Sequence, residues 1–151
     1  MKTARIAAVL SGLIVSGSAL AQIETAPPLP LDEPRTMRDM EAVCTGIGSD
    51  AREDPRWAAY PLKVEVAGRL GQFLGEAEVT VTKGTEAVVS VRCGGPWILF
   101  RLSPGTYGVT AEVEGVSKSG KVTVSAKGQA RIVLRFPDLG GAVSPEYVPK
   151  G

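Results

Sequence analysis

The side chains that could do chemistry in this 151-residue chain are sixteen carboxylates, seventeen cations and two cysteines; there is no histidine. Without an imidazole, Ser-His-Asp catalysis, Cys-His catalysis and every His-ligated metal site are excluded. Carboxylate pairs remain. Glu65, Glu76, Glu78, Glu112 and Glu114 are the candidates for a glycosidase-like pair, in which one carboxyl group protonates a leaving group while the other attacks or activates water. A solvated sheet face accounts for all five, so no catalytic residue is assigned and a carboxylate-pair hydrolase is the remote alternative. Asp50, Glu53 and Asp54 cluster in sequence but fit no calcium-loop spacing. Gly46-Ile47-Gly48 is half of a phosphate loop and reads as a turn. No metal and no cofactor are expected.

The two cysteines, Cys44 and Cys93, do not form a Cys-x-x-Cys pair, which argues against a thiol-redox enzyme. Their meaning depends on the compartment, and the N-terminus speaks to that. Lys2 and Arg5 precede an apolar run, Ile6–Val15, and Ala19-Leu20-Ala21 supplies a small-x-small cleavage pattern. Residues 1–21 therefore read as a signal peptide cleaved after Ala21, leaving a periplasmic or secreted chain that starts at Gln22. The run is too short for a resident spanning helix, which needs about 20 apolar residues. No later segment is long enough either, so no membrane span is expected after cleavage. In an oxidising compartment an even cysteine count points to a disulfide, and two cysteines allow one intramolecular pairing, Cys44–Cys93. Cleavage removes Lys2 and Arg5 and no acid, so the net charge moves from +1 to −1. That balance lacks the basic surplus of a nucleic-acid binder.

The elements that would position these groups follow from periodicity. Residues 22–36 hold four prolines and no apolar repeat, which reads as an extended linker. Residues 37–60 read as a partly helical segment ahead of the main domain: Met37–Val43 could form a helical turn or two, and Asp50 with Glu53 resembles a capping box for a short helix toward Ala59, with Pro55 against it. From residue 61 to 137 the period is two. Leu62/Val64/Val66, Ala77/Val79/Val81, Ala87/Val89/Val91/Cys93, Ile98/Phe100/Leu102, Tyr107/Val109/Ala111/Val113, Val122/Val124 and Ile132/Leu134/Phe136 form seven rows alternating with mostly polar residues. Glycine-bearing breaks separate them, and Pro104-Gly105 fits the centre of a type II turn ahead of Tyr107. The expectation is an all-β fold, a seven-stranded antiparallel Ig-like sandwich, with residues 138–151 as a tail. Cys93 points inward on its row, so the bridge would staple residues 37–60 over an end or edge of the core.

One row departs from this pattern. Trp97, Leu99 and Arg101 lie opposite Ile98, Phe100 and Leu102, so this strand is apolar on both faces. Something must cover Trp97 and Leu99. Either residues 37–60 do so through Trp57, or Trp97, Leu99, Arg101 and Trp57 form an exposed aromatic-plus-arginine patch for a partner protein or glycan. Phe73 and Leu74, between Gly71 and Gly75, form a second apolar loop pair that reads as an anchor on the sandwich end.

Gly75-Glu76-Ala77-Glu78-Val79-Thr80-Val81 and Leu102-Ser103-Pro104-Gly105-Thr106-Tyr107-Gly108-Val109, with the closing run Gly128–Phe136, resemble the corresponding strands of carboxypeptidase regulatory-like domains, which are prealbumin-like (transthyretin-like) seven-stranded sandwiches. The likeness spans about residues 60–137. Gly46-Ile47-Gly48 and Gly95-Pro96-Trp97 resemble segments of small exported bacterial members. The usual polar approach to the central strand is replaced here by Val91–Phe100. The resemblance implies an accessory module; the transthyretin-like hydroxyisourate hydrolases rely on histidines that this chain lacks. The expected function is thus a non-enzymatic exported interaction domain of the cell envelope with an unknown protein or glycan partner. The alternative is a self-associating structural protein that forms a homodimer through an edge strand or the Trp97 face.

Overall fold

A computed structural model describes residues 25–139. The proposed signal peptide, its cleavage site and most of the C-terminal tail lie outside the described residues. The elements run β1 (Pro28–Leu29), β2 (Arg35–Met37), β3 (Met40–Thr45), α1 (Ser49–Glu53), a 3-10 turn (Pro55–Ala59), β4 (Leu62–Gly68), β5 (Ala77–Lys83), β6 (Glu86–Cys93), β7 (Trp97–Phe100), β8 (Gly105–Val113), β9 (Val116–Val124) and β10 (Ala130–Phe136). They build two five-stranded sheets, in the orders β1-β6-β5-β8-β9 and β10-β4-β7-β3-β2. One core lies between them, with Val64, Val66, Ile98, Phe100 and Phe136 from the second sheet meeting Val79, Val81, Val91, Tyr107 and Val109 from the first.

The all-β, two-sheet expectation holds, with two corrections. The described residues form ten strands rather than seven, and two pairings, β1 with β6 and β4 with β10, are parallel. The additional strands are all N-terminal. Residues 28–29 and 35–36, expected in a linker, and Met37 just after it form edge strands; the extended bias of prolines suits an edge, where a missing N–H costs no ladder bond. The Met37–Val43 stretch, considered as helical, instead ends β2 and enters β3 (Met40–Thr45), a strand between β7 and β2. Both of its faces are covered, so the alternation that marks a half-wet strand is missing. The β2–β3 hairpin turns through Arg38 and Asp39, both at positive φ (47° and 67°), a primed-turn geometry usually signalled by glycine or asparagine.

Local details shift as well. Gly48, at φ 84°, precedes α1 with no side-chain cap, so Asp50 and Glu53 form no capping box. Asp54 instead caps the 3-10 turn by accepting from the Arg56 N–H at 2.9 Å, and Pro55 opens that turn rather than interrupting a helix. Gly105 has φ 157° and starts β8 opposite Val124, so Pro104-Gly105 is not a type II turn. The Tyr107 hydroxyl donates to the Ser103 carbonyl at 2.7 Å and fixes this corner. In β6 a bulge opposite Val81/Thr82 leaves Ala87 exposed instead of inward.

Cys44 and Cys93 are bridged, with Cα atoms 5.5 Å apart. Because Cys44 sits in β3 and Cys93 ends β6, the bond joins the two sheets rather than pinning a cover over an edge. For a sequence separation of 49, the loop-entropy contribution is about 4 kcal/mol. The chain itself crosses at the same place: Leu29 pairs with Cys93, Leu31 bridges to Cys44, and the Asp32 N–H donates to the Cys44 carbonyl at 2.8 Å.

Candidate functional site: the covered face of the second sheet

The register of the second sheet sets its outer surface. Thr45 and Glu65 flank Trp97 on β7, Val43 and Lys63 flank Leu99, and Arg131 of β10 stands beside Lys63. Leu99 is fully buried, Trp57 is 4% exposed and Trp97 9%. Three of the four residues read as a patch are therefore interior, and Arg101 alone is exposed. Over Leu99 the cover is the one anticipated through Trp57, but it does not extend to Trp97. The 3-10 turn lays Trp57 and Tyr60 on Val43 and Leu99 as a second small core.

Polar contacts lock that cover down. The Trp57 indole N–H donates to the Ala51 carbonyl at 2.8 Å, and the Gln129 amide donates to the Trp57 and Tyr60 carbonyls at 2.7 and 3.0 Å. The Tyr60 hydroxyl donates to Glu41 at 2.6 Å. Burial, together with that ionised acceptor, pushes the Tyr60 phenol up to about 12. Arg56 and Arg101 lie over the Trp57 and Tyr60 rings, at 4.5 and 4.8 Å from the centroids.

Glu65, assigned to a wet face by its alternation, is 3% exposed. Arg131 grips both carboxylate oxygens, at 2.8 and 2.6 Å, and Lys63 adds a contact at 3.0 Å. Burial alone would raise this carboxyl group, but the Arg131 and Lys63 hydrogen bonds outweigh it and hold it below the usual carboxylate range. The trio ties β4 to β10.

Trp97 forms a separate centre beside this cover. The Lys63 ammonium lies 4.2 Å from its ring centroid, and Phe73 meets it edge-on at 5.9 Å. Gly46, at φ 98°, passes so close that a Cβ there would come 2.8 Å from the Trp97 Cγ, which is why this turn needs glycine. The Trp97 Nε1–H is buried and has no hydrogen-bond partner among the described residues. Above it Phe73 is 44% exposed, Leu70 is 67% exposed, and the Arg52 guanidinium rests 5.5 Å from the Phe73 ring centroid while donating to the Gly46 carbonyl. Phe73 was legible from sequence as an anchor; its arginine neighbour was not, because Arg52 lies on a separate element.

Of the remaining carboxylates, Glu76 ends the loop of Phe73 and Glu114 lies in the β8–β9 turn, while Glu78 and Glu112 lie elsewhere. Glu78 stands directly opposite Glu112, with Arg92 on the other side of Glu78, on the open outer face of the first sheet. A concavity of about 420 Å³ lies at the opposite edge of that sheet, lined by Ala26, Pro27, Met37, Val88 and Val89 with Arg38, and holds no carboxylate. Among the described residues no three His, Cys, Asp or Glu side chains converge as metal ligands, and no helix is long and apolar enough to cross a membrane.

Compared with known proteins, the chain matches no family model, and no curated protein matches it in sequence.

Proposed function

We propose that this chain is a non-enzymatic, exported β-sandwich module of the cell envelope, carboxypeptidase regulatory-like in kind, that works by contact with a partner. One observation carries the reading: Phe73 and Leu70 stand exposed on a loop that rests on Trp97, whose indole N–H has no acceptor among the described residues, with the Arg52 guanidinium on Phe73. Aromatic and arginine anchors of this kind dominate recognition surfaces. The interaction face is thus the loop above Trp97, not the Trp97–Leu99–Arg101 row itself. The cross-sheet disulfide supports an oxidising compartment, as the signal-like N-terminus does.

Site-directed photocrosslinking in cells producing the full chain tests this. A photoreactive phenylalanine at position 73 should give discrete adducts, and one at Thr110, on the first sheet's outer face, should give none. The recovered protein should begin at Gln22. Equal labelling at both positions would sink the proposal. So would a hydrolytic activity on envelope polymers that is lost in Glu78→Gln or Glu112→Gln.

A further inference from the structure

The exposed apolar residues are not scattered. Leu31, Ile47, Leu70 and Phe73 are the exposed large hydrophobics among the described residues, and all four fall at one end of the sandwich. That end is where β3, β4, β6 and β10 finish and β5 and β7 begin. Within it, the loop between β4 and β5 is shaped from inside: the Gly68 N–H donates to the Gln72 carbonyl at 2.8 Å, Gly71 to Gly68 at 3.1 Å, and Leu74 to Val66 at 2.9 Å. Leu70 and Phe73 therefore project from a structured loop.

Three arginines flank this loop without an ion-pair partner among the described residues. Elsewhere on the same face the arginines are used: Arg131 on Glu65, Arg101 on Glu41, Arg56 on Asp54. Arg52, Arg69 and Arg135 are exposed and make no ion pair among the described residues. Arg52 lies against Phe73, Arg69 is on the loop, and an Arg135 Nη1 comes within 3.7 Å of where a Gly71 side chain would begin. The apolar ledge is thus bracketed by guanidiniums, the groups best shaped to grip carboxylates in pairs.

Resting on the contact-module reading above, we infer that this loop takes an extended acidic peptide segment of a partner protein. Its carboxylates sit on Arg52 and Arg135, and an apolar side chain lies between Leu70 and Phe73. As Phe73 shifts to admit the segment, the buried Trp97 indole N–H gains a peptide carbonyl as acceptor, which ends its isolation. Two competing occupants fit less well. A sugar ring docks on an open aromatic face, but here a guanidinium rests on the Phe73 ring and aliphatic Leu70 and Ile47 extend the surface. An anionic bilayer, being broad and flat, would also meet Asp32, Glu33, Glu76 and Glu114, exposed at the same end, whereas a single extended segment follows only the ledge between Arg52 and Arg135.

The test is an NMR titration of isotope-labelled chain from Gln22 onward, disulfide intact, with a short acetylated peptide of alternating Glu and Leu. Matched peptides of alternating Lys and Leu, or Glu and Ser, serve as controls. The Trp97 indole and residues 69–74 should shift with the Glu–Leu peptide alone. Binding should weaken at least about tenfold in Arg52→Glu/Arg135→Glu and in Phe73→Ser, should weaken with added salt, and should be unchanged in Thr110→Glu. Intact mass and amide dispersion establish that each variant is folded and bridged. No shift at about millimolar peptide overturns the inference, as do shifts that survive the charge reversal. If oligogalacturonate or phosphatidylglycerol vesicles move the loop while the peptide does not, the acidic-peptide inference falls and the contact-module reading stands. Loss of site-specific crosslinks at position 73 would bring down both.

Discussion

The two sheets are alike in strand number and differ on their outsides. The first carries a row of hydroxyls, Ser90, Thr80, Thr110 and Ser119, in register across four strands. Thr80 pairs with Ser90 at 2.9 Å and Thr110 with Ser119 at 2.8 Å, and Thr106 faces Thr123 at 3.2 Å two rows away. Such a face satisfies itself and can meet water bare. The second presents Val43, Leu99 and Trp97 at the equivalent depth, and it is roofed by the 3-10 turn on one side and the loop of Phe73 on the other. The lesson is causal. Where outward residues are apolar the chain must spend extra segments covering them, and those segments bring the exposed aromatic and arginine groups that a bare sheet lacks.

If the roof is a second small core, truncating it should cost what a core truncation costs. Trp57→Ala should lose about 4 kcal/mol in denaturant unfolding, and Leu99→Ala beneath it about 3 kcal/mol. A loss below about 1 kcal/mol at both would mean that the 3-10 turn merely rests on the sheet.

Glu65 gives the next contrast, a buried acid on the roofed side. Glu65→Gln leaves Arg131 and Lys63 without their counter-charge and should cost about 2 kcal/mol, reduced from a fully buried pair because Arg131 is half exposed. Since its folded carboxyl lies below the ordinary 4.5, its contribution is present above that pH and lost on further acidification. Stability measured against pH should therefore fall below about 4.5 in the parent and fall less in the variant.

Tyr60 works at the alkaline end. Its folded value is raised to about 12 from an ordinary 10.0, so its contribution is complete below pH 10 and disappears between 10 and 12. Tyr60→Phe should cost about 1 kcal/mol at neutral pH and remove that alkaline limb. Ultraviolet difference titration should show a tyrosinate signal near pH 12 in the parent that is missing from Tyr60→Phe; matching profiles in that range would discount the Glu41 contact.

The bare face completes the comparison. Thr110→Ala should change stability by less than about 0.5 kcal/mol, since its hydroxyl pair is exposed and water replaces it. A cost near 1 kcal/mol would show that the hydroxyl row is a structural ladder rather than a solvated surface.

Sequence reasoning reached the seven segments that became β4 to β10 because each is wet on one side or bounded by a glycine turn. It reached the cysteine pair from its even count and the signal-like N-terminus. It missed β3 because a strand covered on both faces has no period of two to read, and it missed the β2–β3 hairpin because Arg38-Asp39 turns without glycine. Glu65 was placed in water because alternation reports which side of a strand a residue occupies, not whether that side is covered. The Trp97 strand was legible as anomalous, and the candidate cover, Trp57, was legible with it.

Local chemistry therefore determined the elements. Alternation fixed which residues of each strand face the core, and apolarity on both sides of Trp97–Phe100 required a cover. Tertiary structure alone decided what lies beside what. It brought Cys44 onto a different sheet from Cys93, set Arg131 on Glu65 across 66 residues, and laid Arg52 over Phe73 on top of Trp97. The physical reason is that periodicity is a property of neighbours along the chain. Counter-charges, ring contacts and roofs form between segments whose proximity only the packing of two sheets creates.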